Sequence, residues 1–193
     1  MKDDEALLTY QFLAGISSIL FSIIILLILI VPLYFIDGIV KGFVSFSSYY
    51  LRMYNTTLKI PELDKAASLS IPITIHALIT LSLGLNAITN WMRRRHVIII
   101  ARLMFATGLS SVFSTSFFYF THAVYIKGIL DSIGGEYVRS NSAGTIFLGN
   151  IIVQPSVFSN ILLSPLPVLL ISFLNASFST LWTYRVYRAL AFK

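Results

Sequence analysis

The chain contains no cysteine. Disulfides, thiolate-held metals, iron–sulfur clusters and a cysteine nucleophile are excluded with it, and cysteine usage gives no reading of the redox compartment. Acidic residues are scarce too: eight Asp and Glu stand against 14 Lys and Arg in 193 residues, and charged side chains make up only 11% of the chain. None of these acids falls inside a long apolar run, the nearest being Asp37 at an edge. Proton relays and cation-coupled carriers place acids at membrane depth, so the scarcity disfavours both. An H-E-x-x-H pair, a nucleophile elbow, a glycine-rich phosphate loop and a convincing internal repeat are also missing from the sequence. The sequence arguments for a zinc hydrolase, an α/β-hydrolase, a P-loop enzyme or an inverted-repeat transporter go with them.

What is abundant is apolar surface, with hydrophobic residues at 56%. A soluble domain of this length could not bury so much, whereas a bilayer accepts it in segments of roughly 20 residues. The formal charge of +6 does not point to nucleic acid, because the basic residues sit at the ends of apolar runs and not on one amphipathic face. Anionic lipid headgroups suit that distribution.

Four runs are long enough to cross a membrane: residues 12–35, 69–91, 97–126 and 162–184. The predicted fold is therefore an all-α integral membrane protein, a four-transmembrane-helix bundle forming one domain over residues 1–193, with external segments 37–68 and 127–158. Ahead of the first run, Met1 to Glu5 is acidic, and the run exceeds the h-region of a secretory signal, so it reads as an uncleaved span. The third run has two framings, Val97 to Tyr119 or, if Arg102 marks the inner boundary, Leu103 to Ile126; the second is preferred.

Between the first two spans, Asp37 and Lys41 stand four apart, and Phe43, Phe46, Tyr50 and Tyr54 recur at helical spacing. That pattern predicts an outer amphipathic helix along the membrane surface, with an ordinary aromatic belt as the other reading. Residues Thr56 to Lys65, with Pro61 and several charges, read as a solvated loop. Beyond Gly134-Gly135, the stretches Glu136 to Arg139 and Thr145 to Val153 flank Asn141-Ser142-Ala143-Gly144 and admit a small external β-hairpin. Residues 145–158 are too short and too polar to span, though not to re-enter.

Both termini and the arginine hairpin are assigned to the cytoplasmic side of the cell membrane. This places seven basic residues inside (Lys2, Arg93, Arg94, Arg95, Arg185, Arg188, Lys193) and six outside (Lys41, Arg52, Lys59, Lys65, Lys127, Arg139), with Arg102 in a span. The totals barely differ, but the inside set abuts the span ends while Arg52, Lys59 and Arg139 lie well away in longer loops. An Asn55-Thr56-Thr57 acceptor triplet falls on the assigned outer side.

Each span has one face of small or polar residues: Gly15, Ser18, Ser22; His76, Thr80, Gly84, Ala87; Thr107, Ser111, Ser114; and Ser172, Asn175, Ser179, Thr183. Spacings of three and four align each set along one side of its helix. A packing seam between helices is the first reading and a polar path for a small solute the second. Arg93, Arg94, Arg95, Arg102, Arg185 and Arg188 form a predicted collar for anionic headgroups, Arg102 snorkelling outward or, alternatively, meeting a buried anion. His76 and His122 are offset by roughly 15 Å along the bundle at 1.5 Å per residue, too far to share a haem, so no cofactor or metal is assigned.

The function expected from this reading is non-enzymatic: an accessory or structural subunit of a larger membrane complex. Its partners are lipids and either other membrane subunits or further copies of itself. A small oligomeric channel or carrier for a neutral or anionic solute is the alternative. A redox-complex subunit whose ligands come partly from a partner is the third reading.

Overall fold

A computed structural model describes the backbone of residues 2–89, 94–134, 139–140, 146–148, 151–156 and 165–191. Side chains are described for residues 6–89, 97–120, 152–154, 156 and 166–189. The fold is mostly helical, with helices α1 (Lys2–Ile30), α2 (Pro61–Thr89), α3 (Arg94–Gly134) and α4 (Pro165–Ala191). All four are long and apolar enough to cross a membrane, over Ala6–Ile30, Pro61–Thr89, Val97–Phe120 and Leu166–Ala189. The 41 residues of α3 would reach roughly 60 Å at 1.5 Å per residue, so the helix contains both framings of the third span.

Helix boundaries follow local chemistry. The last bond of α1 is Val31 N–H to the Leu27 carbonyl at 2.9 Å, and Pro32 then forces Val31 out of the helical region. Ser47 takes up a free carbonyl at this end, donating to Leu29 O from Oγ at 2.7 Å and from its backbone N–H at 3.2 Å. α2 and α4 both open on proline, whose missing donor is not needed in a first turn. Residues Pro61 to Lys65 are thus the first turns of α2 and not a solvated loop.

The larger correction lies between α1 and α2. No amphipathic helix forms there. Strands β1 (Tyr34–Gly38), β2 (Val40–Val44), β3 (Tyr49–Met53) and β4 (Thr56–Thr57) make an antiparallel meander. Strands β5 (Arg139–Ser140), β6 (Ile146–Leu148) and β7 (Ile151–Pro155) join it, giving one seven-stranded sheet in the order β4-β3-β2-β1-β7-β6-β5. The predicted hairpin around Asn141 to Gly144 survives as the β5–β6 pair, whose turn lies outside the described residues. Instead of standing alone it is bound to the meander through β1 and β7, with Phe35 opposite Gln154 and Ile36 opposite Val153.

Alternation decides for strand. Tyr49, Leu51 and Met53 face one side and Tyr50 and Arg52 the other; of the aromatics that mimicked a helix, Phe43 and Tyr50 are cross-strand partners on one face, and Phe46 and Tyr54 lie in turns. Asp37 and Lys41 do pair, at 3.4 Å, but across the tight β1–β2 connection; exposed as they are, they contribute little. Gly42 is required by a close approach: a Cβ there would lie 1.7 Å from the Tyr50 carbonyl oxygen.

The chain divides into two compact units, each with its own core. One comprises Met1–Leu26, Thr74–Phe117 and Leu166–Lys193, the other Leu27–Ile73 and Phe118–Pro165. In the second unit, Ile36, Val40, Val44, Leu51 and Val153 from one sheet face form a buried cluster with Leu63 of α2. Tyr49 fixes the start of α2 against β3: its hydroxyl accepts from Ile60 N–H at 2.9 Å and donates to Asp64 Oδ1 at 3.0 Å.

Candidate functional site

The first unit holds the small and polar faces singled out in the sequence. Its buried positions recur by threes and fours: Ala77, Thr80, Gly84, Ala87 on α2; Ala101, Met104, Gly108, Ser111, Thr115 on α3; Ser172, Asn175, Ser179, Trp182, Val186 on α4. A stripe this narrow is the seam of a helix packed against helices, with lipid-compatible side chains elsewhere.

Two glycine contacts bring helices to touching distance. A Cβ on Gly84 would meet the Gly15 carbonyl oxygen at 2.9 Å and Ser18 Cβ at 3.0 Å, while one on Gly15 would meet Ile88 Cγ1 at 2.7 Å. Between α3 and α4, a Cβ on Gly108 would lie 3.0 Å from Ser179 Cβ. Small residues permit such approach, which replaces the hydrophobic drive that lipid does not supply.

Hydrogen bonds reinforce the seam. Ser18 Oγ donates to Asn175 Oδ1 at 2.7 Å, tying α1 to α4, and Gln11 Nε2 donates to the Ala87 carbonyl at 2.7 Å, tying α1 to α2. Thr183 Oγ1 lies 2.8 Å from both the Ala101 carbonyl of α3 and the Ser179 carbonyl of its own helix, whereas Ser111 Oγ donates to Gly108 O on its own helix at 2.6 Å, with the Ser172 carbonyl of α4 at 3.4 Å. The remaining hydroxyls mostly turn back on their own helix, as Ser22 does to Ser18 O and Thr80 to His76 O. Trp182 is fully buried in one cluster with Ala14, Ala87, Ala101 and Met104, so three alanines from three helices leave room for one indole.

Four buried polar atoms among the described residues have no hydrogen-bond partner: His76 Nε2, Asn175 Nδ2, Ser179 Oγ and Trp182 Nε1. Three of them stand on α4 at i, i+4 and i+7, hence on one side of it. His76 itself is half-buried and lies edge-on to the Phe21 ring, centroids 6.1 Å apart.

The sequence-read seam is therefore brought together at Gly15, Ser18, Ser22, Thr80, Gly84, Ala87, Ser111, Ser172, Asn175, Ser179 and Thr183, all buried. Ser114 and Thr107 are only half-buried; on α3 the seam runs instead through Gly108 and Thr115. Counting in sevens from Ala101 would have found both. Gln11 and Trp182 were missed for other reasons: Gln11 is a lone amide before the apolar run, and tryptophan is ordinarily an interfacial residue.

Of the arginines, Arg102 is exposed, its Nε donating to Tyr187 Oη and its guanidinium 5.4 Å from that ring's centroid. An exposed side chain does not fit the buried-anion reading. Arg185 is half-buried and stacks over Tyr10 at 5.4 Å, and Arg188 is exposed. Arg93 and the side chains of Arg94, Arg95, His96 and His122 lie outside the described residues. Among the described residues no three His, Asp or Glu side chains gather as a metal site. Compared with models of known protein families and with curated proteins, the sequence matches none.

Proposed function

We propose that the chain is a non-enzymatic, multi-pass membrane protein serving as an accessory or structural subunit of a larger membrane assembly, with both termini cytoplasmic. The observation that carries this reading is the glycine-knit seam: Gly15 against Gly84, at distances that leave no room for a methyl group, and Gly108 against Ser179, where an added methyl would be tightly pressed. Apart from Ser179, hydroxyls such as those of Ser18, Ser22 and Thr80 are spent on carbonyls and on the Ser18–Asn175 bond, which supports polar faces that hold the bundle together. Large side chains such as Phe113, Leu166 and Leu170 then face outward, where lipid or partner helices meet them. The arginines at the helix ends set orientation and hold anionic headgroups. Purification in mild detergent at native expression, with mass spectrometry of whatever co-migrates, tests the reading. Stoichiometric membrane partners support it, and a lone homo-oligomer contradicts it.

One observation favours a second reading, a small channel or carrier for a neutral or anionic solute. The three unpaired polar groups on one side of α4, at Asn175, Ser179 and Trp182, suit an acceptor-rich solute. Purified protein in liposomes should then pass such a solute, and Ser179→Ala should slow the flux. Tight vesicles across a panel of neutral and anionic solutes would remove this reading.

A further inference from the structure

The chain carries two Asn-x-Ser/Thr triplets, Asn55-Thr56-Thr57 and Asn175-Ala176-Ser177. The structure separates them. Asn175 is fully buried in α4 and bonded to Ser18, whereas Asn55 and Thr57 are exposed at the far turn of the meander. With Met53 opposite Thr56, residues Tyr54 and Asn55 form a two-residue loop, and Tyr54 takes a positive φ of 52° with 80% of its surface exposed. Arg52 Nη2 donates to Asn55 Oδ1 at 3.0 Å, a bond that uses the oxygen and not the amide nitrogen.

We propose that Asn55 is an N-glycosylation site, modified on Nδ2 by an oligosaccharide from a polyprenyl-phosphate-linked donor. In that transfer an Nδ2–H bond is exchanged for a bond from Nδ2 to the anomeric carbon of the sugar. The bond from that carbon to the phosphate oxygen breaks, and the polyprenyl phosphate leaves with the proton. The inference rests on the proposed orientation, because such donors act on the outer face. It deepens the reading of the sheet: β4 is an edge strand of two residues, and an open edge is a template for pairing with another chain. A bulky, solvated glycan on the turn into β4 covers that edge.

The test is site-resolved mass spectrometry of the protein purified from its native host. The peptide bearing Asn55 should carry a mass increment made of whole sugar residues. Asn55→Gln and Thr57→Ala should abolish it, Thr57→Ser should keep it, and the peptide bearing Asn175 should be unmodified. Sidedness is read separately from Tyr54→Cys in the Thr57→Ala background, which has no glycan to shield the thiol. Labelling of that introduced thiol by an impermeant maleimide in intact cells, beside an unmodified Asn55 in the parent, overturns the proposal and leaves the orientation standing. Labelling only after permeabilisation overturns both.

Discussion

Replacing Gly84 by alanine adds a single methyl group where the geometry has no space for one. The added Cβ would stand 2.9 Å from the Gly15 carbonyl oxygen and 3.0 Å from both Ile19 Cγ1 and Ser18 Cβ. The Gly15 oxygen is backbone and cannot rotate away, so α1 and α2 must separate by several tenths of an ångström. That also stretches the neighbouring Gln11 to Ala87 bond, now 2.7 Å. Overpacking of this kind costs about 1–3 kcal/mol. Gly84→Leu should cost more, and Gly15→Ala a similar amount, through Ile88 Cγ1 at 2.7 Å. Because both glycines serve one contact, the double alanine variant should lose less than the sum of the singles. Titrating detergent-solubilised protein with a denaturing detergent, in a Trp91→Phe background that leaves buried Trp182 as the fluorescent reporter, measures the losses. Leu78→Ala, at an exposed position of α2, is the control and should change little. If Gly84→Leu unfolds at the parent's midpoint, the glycine contact is not a packing surface and the seam argument fails.

The register of β1 on β7 predicts that Phe35→Cys with Gln154→Cys will form a disulfide under mild oxidation. Directly opposed residues have Cα atoms about 4.5–5.5 Å apart, within disulfide range, and the parent has no cysteine to interfere. The register-shifted pair Asp37→Cys with Gln154→Cys should stay reduced on a gel-shift assay. Tyr49→Phe should lose about 1 kcal/mol by removing the phenol that holds the start of α2, read as faster hydrogen exchange at Ile60. Burial raises the Tyr49 pKa, with the Asp64 carboxylate adding to the rise against the lowering by the Ile60 backbone bond. A folded pKa above the unfolded value of about 10 means that this contribution is full below that pH and is lost as pH climbs through the folded pKa. The stability difference between the parent and Tyr49→Phe should therefore shrink at alkaline pH, because ionisation removes the proton that Tyr49 donates to Asp64 Oδ1. Replacing Arg93, Arg94 and Arg95 together by glutamine should reduce anionic lipid retained after extraction, each charge contributing about 1 kcal/mol near the surface. Unchanged lipid content would leave these arginines with orientation alone.

The helices were legible because apolar run length answers directly to bilayer thickness, and Arg94 and Arg95 stand in the first turn of α3. The sheet was not. Phe43, Phe46, Tyr50 and Tyr54 satisfy a helical period by coincidence, since Phe43 and Tyr50 sit opposite each other on β2 and β3 while Phe46 and Tyr54 lie in the turns. Two signals pointed the other way: Gly38 and Gly42 inside a supposed helix, and the alternation from Tyr49 to Met53. What no local pattern could supply is the pairing of β1 with β7, which joins residues more than a hundred positions apart. The seam was legible on α1, α2 and α4, where serine, glycine and asparagine stand out against leucine and isoleucine. On α3 so many serines and threonines are present that composition alone could not choose the buried line; the spacing of seven from Ala101 through Gly108 to Thr115 does, and the close approach at Gly108 agrees with it.

The proposal that the chain crosses the membrane four times with both ends inside is tested most directly by single introduced thiols. In intact cells, Ser140→Cys should react with an impermeant maleimide, whereas His96→Cys and Phe192→Cys should react only after permeabilisation. If Phe192→Cys labels from outside while His96→Cys does not, the chain crosses an odd number of times between them and the four-span account is wrong.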